Sequence, residues 1–335
     1  MVFVSVIVPC YNEQTTIRLL LDAVYQQSYQ RDQMEVIIAD GMSTDGTRAQ
    51  IQAFQAQHPD LLVKVVDNTR RIIPAALNRA IEAASGSVIV RLDAHSRPDR
   101  EYVARSVADL EAGLGDNVGG VWMIQPGADT WVARSIAVAA SHPLGVGDAL
   151  YRFTDTASEV DTAPFGAFRR ELVERIGFFD ETLLTNEDYE FNTRIRLSGG
   201  RVWLDPQIRS EYFARKNYGD LAKQYWRYGY WKLRMLRRYP KTLRWRQALP
   251  PLFVLSLVGL AILALFWHVA LQLLILEAGF YLGVLLTASV PLAARHRDPR
   301  FLIGVPAAVA VMHLCWGAGF LWSGIQSIFS QQVVS

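Results

Sequence analysis

Cysteine is scarce. Cys10 and Cys315 are the only two in 335 residues and lie in different parts of the chain, so no disulfide framework holds this fold, and the composition fits a reducing compartment. Charge is missing from the last quarter. From Leu249 onward there are three basic residues (Arg295, Arg297, Arg300) and two acids (Glu277, Asp298), so 31 of the 34 Lys and Arg and 30 of the 32 Asp and Glu precede Leu249. The fingerprints GxGxxG and GxxxxGK[ST] are absent, which counts against dinucleotide and ATP sites. The apolar run Val2–Val8 lacks a basic leader, is too short for a signal peptide and is followed by Pro9 and Asn12-Glu13. It reads as a buried strand, which leaves the charged part of the chain expected in the cytoplasm.

The uncharged quarter contains three long apolar segments, about 249–267, 270–294 and 301–325, each near the roughly 20 residues that cross a hydrocarbon core. A soluble bundle would need polar faces that these segments lack. Eleven Lys and Arg and one acid occupy 215–246, the first link has no Lys or Arg, the second is Arg295-His296-Arg297-Asp298-Pro299-Arg300, and the tail has none. This alternation predicts three crossings of a cell inner membrane with the N-terminal part inside and the C-terminus outside. Glu277 falls within the second segment, where an ionisable group is costly unless it reaches the interface or serves a function. Gly317 and Gly319 in the third suit close helix packing; the oligomeric state stays open.

Before the first segment, Leu221, Tyr225, Tyr228, Trp231 and Met235 recur every three or four residues, with Lys223, Arg227, Arg234 and Arg238 roughly opposite. That pattern predicts an amphipathic helix in the membrane interface, its cations near anionic head groups. Basic-aromatic mixtures also stack on nucleic-acid bases, but the adjacent apolar segments favour lipid.

In the charged part, apolar runs at Val4–Val8, Glu35–Asp40, Leu62–Val66 and Val88–Asp93 alternate with helical patterns at Thr15–Gln27, Thr47–Gln57 and Pro74–Ala84. Continuous apolar strands separated by helices predict a mainly parallel α/β sheet, whose ligands bind beyond the carboxyl ends of the strands. Polar residues gather at those ends: Pro9-Cys10-Tyr11-Asn12-Glu13, Asp40-Gly41-Met42-Ser43-Thr44-Asp45-Gly46-Thr47 and Asp93-Ala94-His95.

These three motifs, followed by Asn186-Glu187-Asp188, resemble in order and spacing the signature of family 2 inverting glycosyltransferases, over about Val2 to Asp205. The Asp-Ala-His variant and the apolar tail look most like the succinoglycan-biosynthesis type that acts on lipid-linked oligosaccharides. The resemblance implies a GT-A nucleotide-diphospho-sugar transferase domain at 1–210, interfacial basic and aromatic helices at 211–247 and three transmembrane spans within 248–335.

The resemblance also implies roles. Asp40 accepts hydrogen bonds from the nucleobase or ribose, with Pro9, Tyr11, Asn12, Glu13 and Ser43 around the same donor pocket and Arg71 and Asn78 as further donor contacts. Asp45 belongs to that pocket or caps the following helix. Asp93, with His95 if strand alternation turns both one way, would hold Mn²⁺ or Mg²⁺ against the donor diphosphate. A second Asp is usual where His95 stands, and imidazole is the softer ligand, which tilts the choice toward Mn²⁺. Asp188 would be the general base beside Glu187, or both are first-turn acids of a helix Tyr189–Leu197. Apart from the resemblance, the glycine of Pro164-Phe165-Gly166-Ala167-Phe168 would let Phe165 and Gly166 approach the acceptor or the donor sugar closely, or the segment is a turn at a strand end. Gln224-Tyr225-Trp226-Arg227-Tyr228 resembles the Gln-x-x-Arg-Trp motif of processive synthases, which would bring Trp226 to the acceptor and Arg227 to the diphosphate or to lipid.

The expected function is transfer of a hexose from a nucleotide-diphosphate sugar, a UDP-sugar favoured, to a polyprenyl-diphosphate-linked saccharide at the cytoplasmic membrane face. A polyprenyl-phosphate sugar synthase is the neighbouring reading, and a catalytically silent sugar-nucleotide sensor or scaffold the reading from another class. Nucleic acid is not an expected partner; membrane lipids are.

Overall fold

In the computed structural model, which describes residues 2–331, the chain forms two compact units. One combines the chain up to Met123 with Leu150–Tyr212; the other combines Ile124–Ala149 with the chain from Phe213 onward. The continuous run expected at 1–210 is therefore interrupted by an excursion into the second unit.

Along the first unit lie β1 (Val4–Cys10), α1 (Ile17–Tyr25), β2 (Met34–Asp40), α2 (Thr47–Gln57), β3 (Leu62–Asp67), α3 (Ile73–Ala83), β4 (Val88–Arg91), β5 (Arg97–Pro98), α4 (Tyr102–Glu111) and β6 (Asn117–Gln125). The excursion carries α5 (Trp131–Ala140) and α6 (Pro143–Val146). The chain returns with β7 (Ser158–Glu159), β8 (Ala167–Arg169), α7 (Arg170–Ile176), α8 (Glu187–Leu197) and β9 (Val202–Phe213).

The sheet order is β3-β2-β1-β4-β8-β6-β9-β5, with β7 on β9. β1 to β4 pair in parallel. From β8 onward the recorded pairings are antiparallel, so the sheet is mixed, with its parallel part confined to the first four strands. Alternation along each strand feeds two helix layers. Val4, Val6 and Val8 pack with Ile17, Leu20, Leu21, Ile51 and Phe54, while Ile7, Ile37 and Ala39 face Leu77, Ala80 and Ile81. β1 and β2 are buried at every position, as central parallel strands are. β3 departs from the expected buried run: it is the edge strand, and its exposure alternates.

The second unit adds α9 (Tyr218–Arg238), α10 (Trp245–Leu263), α11 (His268–His296) and α12 (Phe301–Gln331). α10, α11 and Phe301–Phe329 of α12 are long and apolar enough to cross a membrane. α10 and α11 expose Leu252, Leu255, Ile262, Ile275, Leu276 and Phe280, a surface suited to lipid rather than water. α12 is different: 44% of its most apolar window is buried. Its Phe301, Val305, Ala308 and Met312 cluster with Ile136 and Ala139 of α5, Leu221 and Tyr225 of α9, and Leu285 and Ala293 of α11.

α9 runs alongside α12 in the same direction, from Tyr218, whose hydroxyl donates to the Gly304 carbonyl (3.1 Å), to Tyr230, whose hydroxyl donates to Gln326 Oε1 (2.8 Å). The two backbones approach so closely that a Cβ at Gly229 would strike the Trp316 carbonyl, and one at Gly319 the Trp226 carbonyl. The apolar face expected to lie in lipid is thus partly spent on α12: Leu221, Tyr225 and Met235 are buried, while Lys223, Arg227, Arg234 and Arg238 stay exposed. Gly317 faces the Pro250 carbonyl of α10, so Gly317 and Gly319 both serve packing within the chain. Glu277 is the tenth residue of α11 and accepts a hydrogen bond from Ser256 Oγ of α10 (2.8 Å), rather than reaching an end of the helix.

Candidate active site

The site residues of the first unit collect at the carboxyl edge of β1, β2 and β4. The β1 and β2 loops are laced together. Asn12, in the left-handed region at φ 54°, donates its backbone N–H to Ser43 Oγ (2.8 Å), and its Oδ1 accepts from Thr44 N–H (2.9 Å). Ser43 Oγ in turn donates to Asp40 Oδ1 (2.5 Å). Glu13 N–H donates to Thr47 Oγ1 (2.8 Å), and Gly46 N–H to Gln14 Oε1 (2.9 Å). Asp45 accepts from Thr47 N–H (3.0 Å), the first residue of α2, and from Gln14 N–H (3.2 Å). It therefore caps, and its hydroxyl partner Thr47 foremost holds its carboxyl below the usual range.

Asp40 is fully buried and occupied: besides Ser43, its Oδ2 takes Arg48 Nε (2.6 Å), and Arg48 Nη2 reaches Asp67 Oδ1 (2.5 Å). Asp40 thus builds the loop, and a direct contact with the donor would have to share an oxygen already bonded to Ser43 or Arg48. Pro9 is buried within β1 opposite Ala39 and contributes backbone only. Tyr11 is exposed, packed on Gly41, with the Arg71 guanidinium 5.7 Å from its ring centroid; this pair is the open part of the cradle. Asn78 is spent elsewhere. Its amide exchanges hydrogen bonds with the Phe179 backbone (Nδ2 to O 3.0 Å, N to Oδ1 2.9 Å) and donates to Glu181 Oε1 (2.9 Å), so it latches that loop instead of meeting a donor. Cys10 is inert: burial, with Asp40 next, pushes its thiol far up.

β4 ends at Arg91, two residues earlier than expected, and Asp93-Ala94-His95 forms a turn closed by Ser96 N–H on the Asp93 carbonyl (2.9 Å). Strand alternation therefore does not align Asp93 with His95. His95 Nδ1 lies 3.0 Å from Glu13 Oε1, whereas Asp93 Oδ1 lies 3.3 Å from Arg91 Nη2. Burial would raise the Glu13 carboxyl, but the hydrogen bonds from His95 and Thr16 outweigh it and lower its pKa.

Glu187 and Asp188 are the first two residues of α8, not a loop before it, behind Asn186 at φ 68°. Both meet Arg91, which is 3% exposed: Nη2 lies 3.0 Å from Glu187 Oε1, and Nη1 pairs with Asp188 Oδ1. Burial opposes charge on Arg91, yet Asp188, Asp93 and Glu187 outweigh it and push its pKa up. Burial also acts on Asp188, and despite Arg91 it is pushed up to about 7, with Glu187 and Asp93 adding to the rise. A carboxyl tuned near neutrality suits proton transfer.

Phe165 and Gly166 lie behind this cluster. Phe165 is 3% exposed, its ring centroid 5.9 Å from the Arg91 guanidinium. A Cβ at Gly166 would collide with the Asn117 amide, so packing alone requires glycine here. Trp226 and Arg227 belong to α9 of the second unit, where Gln224 Nε2 donates to the Tyr228 hydroxyl (3.0 Å). Arg91 and Arg48 escaped the sequence reading. A cation ending the apolar run Val88-Ile89-Val90 was the available signal, since a buried charge demands partners nearby.

A metal fits this edge only in part. Among the described residues no group of three or more His, Cys, Asp or Glu is assembled for coordination. Yet three carboxylates face one guanidinium, an excess of negative charge that a divalent cation would offset, and Asp93 makes the longest of the three contacts to Arg91. Asp93, the farther of the two contacts measured to Arg91 Nη2, is the carboxylate that could turn to a hard cation.

The chain is 31% identical over 317 residues to the succinoglycan biosynthesis protein ExoA of Rhizobium meliloti (strain 1021), covering 94% of this chain and 93% of that protein. It is 25% identical over 324 residues to the dolichyl N-acetyl-alpha-D-glucosaminyl phosphate 3-beta-D-2,3-diacetamido-2,3-dideoxy-beta-D-glucuronosyltransferase of Methanococcus voltae, covering 95% and 96%. Among solved structures, the mannosyltransferase PcManGT from Pyrobaculum calidifontis, in complex with GDP-Man and Mn²⁺, superposes with a TM-score of 0.66 at 25% identity, covering 93% of this chain and 87% of that one. The Glycosyl transferase family 2 pattern matches residues 5–177, and with its GT-A-like mixed sheet and three apolar C-terminal helices the chain belongs to that family of transferases.

Proposed function

We propose that this transferase moves a hexose from a nucleotide-diphosphate sugar to a polyprenyl-diphosphate-linked saccharide at the cytoplasmic face of the inner membrane, with inversion at the anomeric carbon. The carrying observation is Asp188, gripped by Arg91 at the sheet's carboxyl edge and pushed up to about 7. The acceptor hydroxyl gives its proton to Asp188 as its oxygen bonds to the anomeric carbon. The bond from that carbon to the diphosphate breaks on the opposite face, and the nucleoside diphosphate leaves with the electron pair. Tyr11 and Arg71 receive the donor on the exposed side of the cradle. Asp93, with His95 as the second candidate, would hold Mn²⁺ or Mg²⁺, which supplies charge neutralisation at the leaving diphosphate.

A lipid-linked acceptor is supported by the apolar helices and by the relatives. One relative acts in succinoglycan biosynthesis, and another is named for transfer to a dolichyl-phosphate-linked sugar. The exposed cations of α9 support contact with anionic head groups. The family resemblance favours a UDP-sugar, while the solved mannosyltransferase holds GDP-Man, so both bases enter the test.

The test is sugar transfer by purified protein in lipid, with UDP- and GDP-sugars, polyprenyl-phosphate and polyprenyl-diphosphate-sugar acceptors, and Mn²⁺, Mg²⁺ or chelator. Cation-dependent glycolipid on the diphosphate-sugar acceptor is the expected result. Product on bare polyprenyl phosphate alone would turn the reading to a polyprenyl-phosphate sugar synthase.

A further inference from the structure

Arg91 combines features that mere burial does not explain. Its side chain is 3% exposed, and its two Nη atoms serve three carboxylates from two elements nearly a hundred residues apart. The guanidinium pairs with Asp188, lies 3.0 Å from Glu187 Oε1 and is farther, 3.3 Å, from Asp93 Oδ1. Its Nε–H is buried with no acceptor among the described residues, so every side-chain hydrogen bond of the guanidinium runs from its two Nη atoms to the carboxylates.

The group is also braced from behind. Arg91 N–H donates to the Gly166 carbonyl (3.0 Å), and the Phe165 ring lies against the cation. Phe165 itself, at φ 51°, is pinned through its carbonyl by the buried Tyr102 hydroxyl (2.7 Å). A planar fork fixed in this way dictates where a carboxylate oxygen sits, which an ammonium point charge cannot do equally.

We infer that Arg91 is the positioning residue of the transfer: it aims Asp188 at the acceptor hydroxyl while leaving Asp93, its longest contact, the most easily released. The inference rests on Asp188 acting as the base. Arg91 does not touch the reacting atoms in this scheme. It sets the angle and distance of the group that does, and after Asp188 takes the proton it stays anchored on Glu187.

The test compares Arg91→Met, Arg91→Lys and Arg91→Ala by nucleotide-sugar binding and by steady-state transfer. Expected are donor binding within about threefold of wild type, a fall in kcat of about 100-fold for Arg91→Met, as misplacement by an ångström produces, and partial recovery in Arg91→Lys. Added guanidinium should restore Arg91→Ala where methylammonium restores it less. If all three variants lose donor binding together with activity, and neither Arg91→Lys nor guanidinium recovers turnover, Arg91 is structural and the inference fails. Full turnover by Arg91→Met against an active wild type overturns the inference alone. A wild type without turnover on every donor–acceptor pair overturns the transferase reading and this inference with it.

Discussion

Asp40 and Asp188 stand at the carboxyl edge of one sheet, yet their surroundings are opposite. Asp40 closes β2 with both oxygens taken by Ser43 and Arg48, and Arg48 is balanced again by Asp67. Asp188 shares one buried guanidinium with Glu187 and Asp93. The first region is electrostatically complete and holds a shape. The second carries unmet negative charge, and unmet charge is what accepts a proton or a cation. The closed cluster stands at the end of β2, and the one with excess negative charge where β4 meets α8.

The largest expected effect breaks the reactive side. Asp188→Asn keeps the size and the contact to Arg91 but removes the base, so transfer should fall by about 10²–10⁴-fold while nucleotide-sugar binding persists. With the carboxyl pushed up to about 7, the wild-type rate should rise with pH through that region, because the base must be deprotonated to act. A pH profile of kcat/KM checks this, and a profile that stays flat there would remove Asp188 from the role.

The next effect breaks the shape-holding side. Arg48→Met leaves Asp40 buried with a missing partner, at a cost of about 1–3 kcal/mol. If the β1 and β2 loops hold the donor as proposed, the donor KM should rise by more than kcat falls, the reverse of the Asp188 pattern. Thermal melts and donor titrations measure both. Loss confined to kcat would mean that the two regions are not separate.

A third carboxylate sharpens the contrast from the amino end of β2. Glu35 is buried; burial would raise its pKa, but Lys64, Ser5 and Ser85 together hold it at about 2. Its folded value lies below the unfolded value of about 4.3. Its contribution is therefore complete above about pH 4.3 and is lost as pH falls toward 2. Glu35→Gln should lower stability near neutrality and flatten the acid limb between those values by up to one proton. Unfolding midpoints measured from pH 2 to 6 decide it, and an unchanged limb would show that Glu35 is not held in its charged form.

The contrast also explains what was legible. Continuous apolar runs gave β1 to β4 and helical periodicity gave α1 to α3, because central parallel strands are buried at every position and amphipathic helices at every third or fourth. The strands from β5 to β9 are short or antiparallel and gain their places from partners distant in sequence, such as Ala167 beside Val90 and Val118. The motifs located the edge but not the division of labour upon it. Asp40 and Asn78 look like ligand contacts in sequence, since nothing local says that Arg48 or the Phe179 backbone has already claimed them. The partnership of Arg91 with Asp188 spans 97 positions and forms only in the folded sheet. The excursion through α5 was hidden for a related reason: its apolar face is covered by α12, more than 160 residues later.

The smallest expected effect asks to which class the carboxyl of Glu277 belongs. It sits mid-helix in α11, accepts from Ser256 of α10 and lies between two helices whose outer faces are apolar. If, like Asp40, it only fixes one element against another, then Ser256→Ala should cost only about 0.6 kcal/mol, as interhelical hydrogen bonds in membranes average. Transfer activity should be unchanged. Thermal unfolding in lipid nanodiscs, with the transfer assay run in parallel, separates the cases. A stability loss of that size with full activity places Glu277 among the shape-holding carboxylates, whereas intact stability with lost transfer would make this pair a working part of the apolar helical unit.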